Sequence, residues 1–109
     1  TKIIIIGFSQ GAALAMFIGQ SSRIKFDGII SLSGYQPIIS GNNFTKKNTA
    51  ILAMHGLHDD IIDIITAKLS YKDNSPEYFN FKTYEMGHEV IDSQLLDIQQ
   101  FLLGIKDYD

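Results

Sequence analysis

The apolar positions of this chain fall in two alternating rhythms. Ile3-Ile4-Ile5-Ile6 is a continuous run, and Phe26-Asp27-Gly28-Ile29-Ile30-Ser31-Leu32 and Ala50-Ile51-Leu52-Ala53-Met54 are two further short apolar segments bounded by polar or glycine positions. Runs of this length without polar alternation predict strands buried on both faces of a parallel sheet. Tyr78, Phe79, Phe81 and Tyr84 mark a fourth strand that ends near Met86-Gly87. Between these segments the period lengthens. Ala12-Ala13-Leu14-Ala15-Met16-Phe17 lies in a helix predicted over residues 10–21. Ile61, Ile65 and Leu69 recur at steps of four around a second helix over 62–72, stopped by Asn74-Ser75-Pro76. Leu95, Ile98, Leu102 and Ile105 recur at helical spacing over 92–104, with Asp97, Gln99 and Gln100 on the other side. Residues 37–49 carry Asn42, Asn43, Lys46, Lys47 and Asn48 with no apolar period, and read as a loop.

Strands alternating with helices imply a parallel sheet, because parallel neighbours need a crossover and such crossovers are right-handed. The expected architecture is α/β: a three-layer parallel sheet of about four strands with crossover helices, in one domain spanning residues 1–109. The first strand begins almost at residue 1, and a fully buried strand needs a partner on each side. The expectation is an N-terminally incomplete domain, completed by an upstream half or by a second chain of a homo-oligomer.

Composition narrows the chemistry. A hydrophobic content of 45% over 109 residues is enough for a packed core, and 12 acidic against 9 basic side chains give a net charge of -3. The charges are dispersed and no basic run follows a phosphate backbone, which argues against nucleic-acid binding. No cysteine is present, so thiol nucleophiles, disulfides and zinc-thiolate sites are excluded. The apolar runs are far short of the roughly 18 residues that span a bilayer, and a cytoplasmic protein without an integral membrane segment is expected.

The sharpest local signal is Gly7-Phe8-Ser9-Gln10-Gly11, set between the first strand and the first helix. A serine at the apex of a strand-turn-helix, flanked by glycines two residues away on either side, has the layout of a nucleophile elbow. A serine hydroxyl needs a base within reach and a third group to orient that base. In a parallel α/β sheet such groups gather beyond the carboxyl ends of the strands. Ser9 follows the first strand, Asp59 the third and His88 the fourth. His88 is favoured as base because it stands directly after a strand beside Gly87. His55, at the end of an apolar strand, reads as a packed structural residue, and His58 is too local to Asp59. From the residues alone Asp59, Asp60 and Asp63 are nearly equal candidates for the acid. A metal held by His55, His58 and Asp59 is a weaker alternative, since two histidines three apart in one loop lack further ligands. The backbone N–H of Gln10, in the first turn of the helix, is the natural first donor to an oxyanion.

Four motifs in order carry a resemblance that spans essentially the whole chain: the Gly7 to Gly11 elbow, Leu32-Ser33-Gly34-Tyr35 with Pro37, His55-Gly56 followed by Asp59, and Gly87-His88. Together they make the chain similar to the phospholipase/carboxylesterase family, which includes acyl-protein thioesterases, in the α/β-hydrolase superfamily. The resemblance implies the C-terminal part of an α/β-hydrolase fold and a carboxylic ester or thioester substrate cleaved through an acyl-enzyme. It implies Ser9 as nucleophile, His88 as general base and then acid, Asp59 as the orienting acid, Gln10 as an oxyanion donor, and no cofactor or metal. Ala12 stands where a second glycine is common, and Asp63 where the acid loop often carries proline. The N-terminal half, with the second oxyanion loop and part of the acyl pocket, has no counterpart among these residues. The competing expectation is an inert fragment or interaction module that needs a second polypeptide.

Overall fold

The computed structural model describes residues 1–38 and 49–105. Most of the polar loop expected over 37–49 therefore lies outside the described residues. The elements run β1 (Ile4–Phe8), α1 (Gln10–Ser21), β2 (Gly28–Leu32), β3 (Ala50–Gly56), α2 (Ile64–Ser70), β4 (Phe79–Tyr84) and α3 (Ser93–Gly104). The four strands form one parallel sheet in sequence order, with Ile4 beside Gly28, Gly28 beside Ala50 and Ile51 beside Phe79. This is the expected α/β architecture.

Strand periodicity sorts the core into two layers. Ile29, Ile51 and Ala53 face one side, where they meet Ala15 and Met16 of α1 and Tyr71 just beyond α2, with Ile5, Phe79 and Phe81 packed against them. Ile30, Leu32, Leu52 and Met54 face the other side under Ile98 and Phe101 of α3. The central strands β2 and β3 are buried along almost their whole length, which is why they read as unbroken apolar runs.

Three points differ in detail from the expected pattern. First, among the described residues β1 is the outer strand beside β2, and Ile6 is 52% exposed, so both-face burial of the isoleucine run is not reached within this segment. Second, α2 is shorter than the 62–72 span, and its row of Ile61, Ile65 and Leu69 is 62–68% exposed. The buried contacts come from Ala67 and Tyr71, one step of four on a different face, where the small alanine lets the helix approach the sheet. Third, α3 is rotated from the leucine-based reading. Gln94, Ile98, Phe101 and Ile105 face inward while Leu95 and Leu102 are exposed. Polar Gln94 is buried on the inner face, where its side-chain oxygen accepts the Ile91 N–H at 2.7 Å, closing the turn that enters the helix, and its Nε2 has no hydrogen-bond partner among the described residues. In addition, β3 extends two residues past Met54 to Gly56, which carries the acid loop to the carboxyl edge of the sheet.

Candidate active site

Ser9 sits between the end of β1 and the start of α1 with φ 59° and ψ -123°. A non-glycine residue in that region costs on the order of 1–3 kcal/mol, so the surroundings must impose it. They do so on both sides: the Ser9 N–H donates to Leu32 O at 2.8 Å, and the Ser9 carbonyl accepts from Ala12 N at 3.0 Å and Ala13 N at 3.3 Å. A side chain at Gly7 would strike the backbone of Gly11 and lie 2.8 Å from Ala12 N, so this glycine is required for closure of the turn. Gly11 meets no such contact among the described residues, so of the two flanking glycines only Gly7 is demanded by close approach.

Serine is a favoured N-cap residue, yet the Ser9 side chain caps nothing in α1. Its Oγ lies 2.8 Å from His88 Nε2. His88 Nδ1 in turn lies 2.8 Å from Asp59 Oδ2. A carboxylate accepts only, so Nδ1 carries the proton facing Asp59 and Nε2 is left to accept from the serine hydroxyl. The Phe8 ring stands beside the imidazole, with centroids 5.0 Å apart and the planes tilted by 47°.

Asp59 is buried on the loop after β3. Its Oδ1 accepts the N–H groups of Ile61 at 2.9 Å and Ile62 at 2.8 Å. Burial alone would raise the carboxyl pKa. The hydrogen bond from Ile62 N–H, then those from His88 and Ile61 N–H, outweigh it and hold the group below the ordinary carboxylate value. Buried His55, 1% exposed, donates from Nε2 to Ile62 O at 2.7 Å and lies 3.3 Å from Asp59 Oδ2, closing the loop on itself. At Gly56 a side chain would run into the carbonyls of Met86 and Gly87, so the acid loop and the histidine turn can meet only without one. They are tied there by Leu57 N–H to Tyr84 O at 2.9 Å and His58 N–H to Met86 O at 3.0 Å.

The structure thus brings Ser9, His88 and Asp59 together, and it separates the competitors. Asp63 caps α2 by accepting from Ile65 N and Thr66 N, and Asp60 is exposed. His58 turns outward to Glu85 at 2.7 Å, and among the described residues no three metal-ligating side chains converge. The Gln10 N–H opens α1, in the first turn where amides have no intrahelical acceptor and the helix dipole favours negative charge. Sequence reasoning missed the Asp59 contact of His55, the ring of Phe8 on His88, and a bond from Ser33 to the histidine turn. The Ser33 signal was available only as part of a motif.

A serine turn on a parallel sheet with helices on both faces is the fold of the α/β hydrolases. The family model described as Phospholipase/Carboxylesterase matches residues 1–105, and the chain belongs to that family. It is 36% identical over 110 residues to acyl-protein thioesterase 1 of Saccharomyces cerevisiae, covering 93% of this chain and 48% of that protein. The corresponding Yarrowia lipolytica protein is 33% identical over 103 residues, covering 83% and 45%. The chain therefore spans about half the length of these relatives. The crystal structure of Arabidopsis thaliana SOBER1 superposes with a TM-score of 0.78 at 28% identity, covering 92% of this chain and 51% of that one. Zea mays acyl-protein thioesterase 2 shares the fold, with a TM-score of 0.76 at 22% identity over 94% and 55%. Among the described residues no helix is long and apolar enough to cross a membrane.

Proposed function

We propose that the protein carrying this chain is a serine hydrolase that cleaves carboxylic esters or thioesters through an acyl-enzyme on Ser9. The observation that carries this reading is the unbroken path from Ser9 Oγ through His88 to the buried carboxylate of Asp59, each step 2.8 Å. His88 Nε2 takes the hydroxyl proton as Oγ attacks the substrate carbonyl, and Asp59 holds the imidazolium that forms. The Gln10 N–H, at the positive end of α1, faces the negative charge that develops on the carbonyl oxygen. Collapse breaks the bond to the alkoxide or thiolate leaving group, which receives the proton from Nε2. Water then adds to the acyl carbonyl as Nε2 takes its proton, and collapse breaks the bond to Ser9 Oγ, which receives that proton from Nε2 as the free acid leaves. The names of the yeast relatives support thioesters within this substrate class.

A second reading rests on the uncovered β1 edge: these residues form one part of a sheet that another polypeptide completes. Family resemblance assigns the second oxyanion donor to a loop upstream of the elbow, and we assign it to polypeptide outside these 109 residues. Losing one such donor costs on the order of 100- to 1,000-fold in turnover. Hydrolysis of a short p-nitrophenyl ester and of an acyl thioester, compared with Ser9→Ala, tests the proposal. The expected result is loss of both activities by roughly 10⁴- to 10⁶-fold. Equal rates for the two proteins would refute the role of Ser9.

A further inference from the structure

Two non-glycine residues have positive φ among the described residues, Ser9 at 59° and Ser33 at 53°. They stand at the carboxyl ends of adjacent strands, joined through the Ser9 N–H bond to Leu32 O. The geometry of Ser9 is that of the elbow. Ser33 has no such role, and glycine would occupy its left-handed backbone without strain.

What serine adds at this position is a hydroxyl. Ser33 is completely buried, its N–H donates to Met54 O at 2.9 Å, and its Oγ donates to Glu89 O at 3.3 Å. Glu89 follows His88 directly. Apart from that bond and the His88 ring contacts to Asp59 and Ser9, the bonds of this turn run within it, by Glu89 N–H to Gly87 O at 3.1 Å and Gly87 N–H to Glu89 Oε2 at 3.0 Å. The Ser33 hydroxyl joins the backbone of that turn to the end of β2, next to the strand that carries Ser9.

We propose that Ser33 is a positioning residue for His88, its hydroxyl fixing the histidine turn relative to the elbow. This inference rests on the Ser9–His88 reading above. Small displacements of a base from its nucleophile cost turnover steeply without altering how substrate binds, since the reacting atoms must be within about 3–3.5 Å and aligned.

The test compares Ser33→Ala and Ser33→Gly in the full natural polypeptide that carries this sequence. Both remove the hydroxyl, and only glycine removes the strain. The expected kcat is about tenfold lower in both, with KM within about twofold of the parent. The expected order of thermal midpoints is glycine above alanine, the reverse of the usual ranking of the two residues. A readout independent of turnover is the proton on His88 Nδ1, followed by NMR: it should exchange with solvent faster in both variants. Unchanged kcat and unchanged exchange would overturn the proposal, as would a loss of kcat that tracks the fall in midpoint across the two variants. A parent that holds the Nδ1 proton but hydrolyses nothing would overturn the functional reading alone, because proton exchange in the variants still decides the role of Ser33.

Discussion

The β4 edge of the sheet carries Asn80, Lys82 and Thr83, and the β1 edge carries only isoleucine, glycine and phenylalanine. At β4 the outward positions are polar, Lys82 reaches Asp97 at 3.8 Å and Tyr84 donates to the other oxygen of Asp97 at 2.5 Å. Such an edge does not invite another strand. At β1 the isoleucines Ile3 and Ile6 and the aromatic Phe8 are substantially exposed, as are Leu14 and Phe17 on the adjoining helix. The same asymmetry runs through the site. Its Asp59 and His88 side, on the loops after β3 and β4, is cross-tied by backbone bonds and by the buried His55 contact. Its Ser9 side lies against the uncovered edge. The hydrogen-bonded path from Ser9 through His88 to Asp59 therefore lies within the described residues, and its Ser9 end adjoins the exposed β1 edge.

The largest effect that would break this comparison is on the tied side. Asp59→Asn keeps the shape and an acceptor for Ile61 and Ile62 but removes the charge that selects the Nδ1–H tautomer. The expected loss in kcat is roughly 10³- to 10⁴-fold with the fold intact, measured by steady-state kinetics beside circular dichroism. Rates within tenfold of the parent would mean that the buried carboxylate does not orient His88.

The next effect separates the two edges directly. In the full natural polypeptide, Ile6→Lys should destabilise by about 3 kcal/mol or more if β1 is covered there, because the lysine is buried without a partner. Thr83→Lys on β4 should stay within about 0.5 kcal/mol. Chemical denaturation measures both, and equal small effects would mean that β1 remains an open edge.

The smallest effect concerns the core under α1 and α2, which both sides share. Tyr71 packs against Phe79 and Phe81, and its hydroxyl lies 2.7 Å from Ser31 Oγ. Burial pushes its pKa up from 10.0 to about 12, partly offset by the bond to Ser31. A raised folded-state value means that this contribution to stability is complete below pH 10 and is lost as pH rises from there to about 12. Tyr71→Phe should cost about 1 kcal/mol at neutral pH and flatten the decline over that alkaline window. An unchanged alkaline profile would remove Tyr71 from the account.

Much of this arrangement is legible in the sequence, for reasons that differ by residue. The central strands are readable because burial on both faces leaves no polar alternation, as in Ile51-Leu52-Ala53-Met54. Ser9 is readable because glycines two residues away on either side frame a turn at the end of a strand, and His88 because Gly87 stands beside it. The helices are read less well. Ile61, Ile65 and Leu69 satisfy the period of a buried face and lie outside, because small Ala67 and the distant ring of Tyr71 make the contact with the sheet. Gln94 breaks the apolar pattern of α3 and yet is fully buried, its oxygen answered by a local N–H. Only family likeness singles out Asp59 over Asp60 and Asp63 in the sequence; in three dimensions Asp63 caps α2 and Asp60 lies in solvent. The strain at Ser33 leaves no mark in composition or period, since it is a property of the backbone.

The most direct measurement is to treat the full natural polypeptide with a fluorophosphonate probe and locate the adduct by tandem mass spectrometry, with His88→Ala alongside. The account predicts a single adduct on Ser9 in the parent and little or none in the variant. Labelling at another residue, or equal labelling of Ser9 without His88, would contradict it.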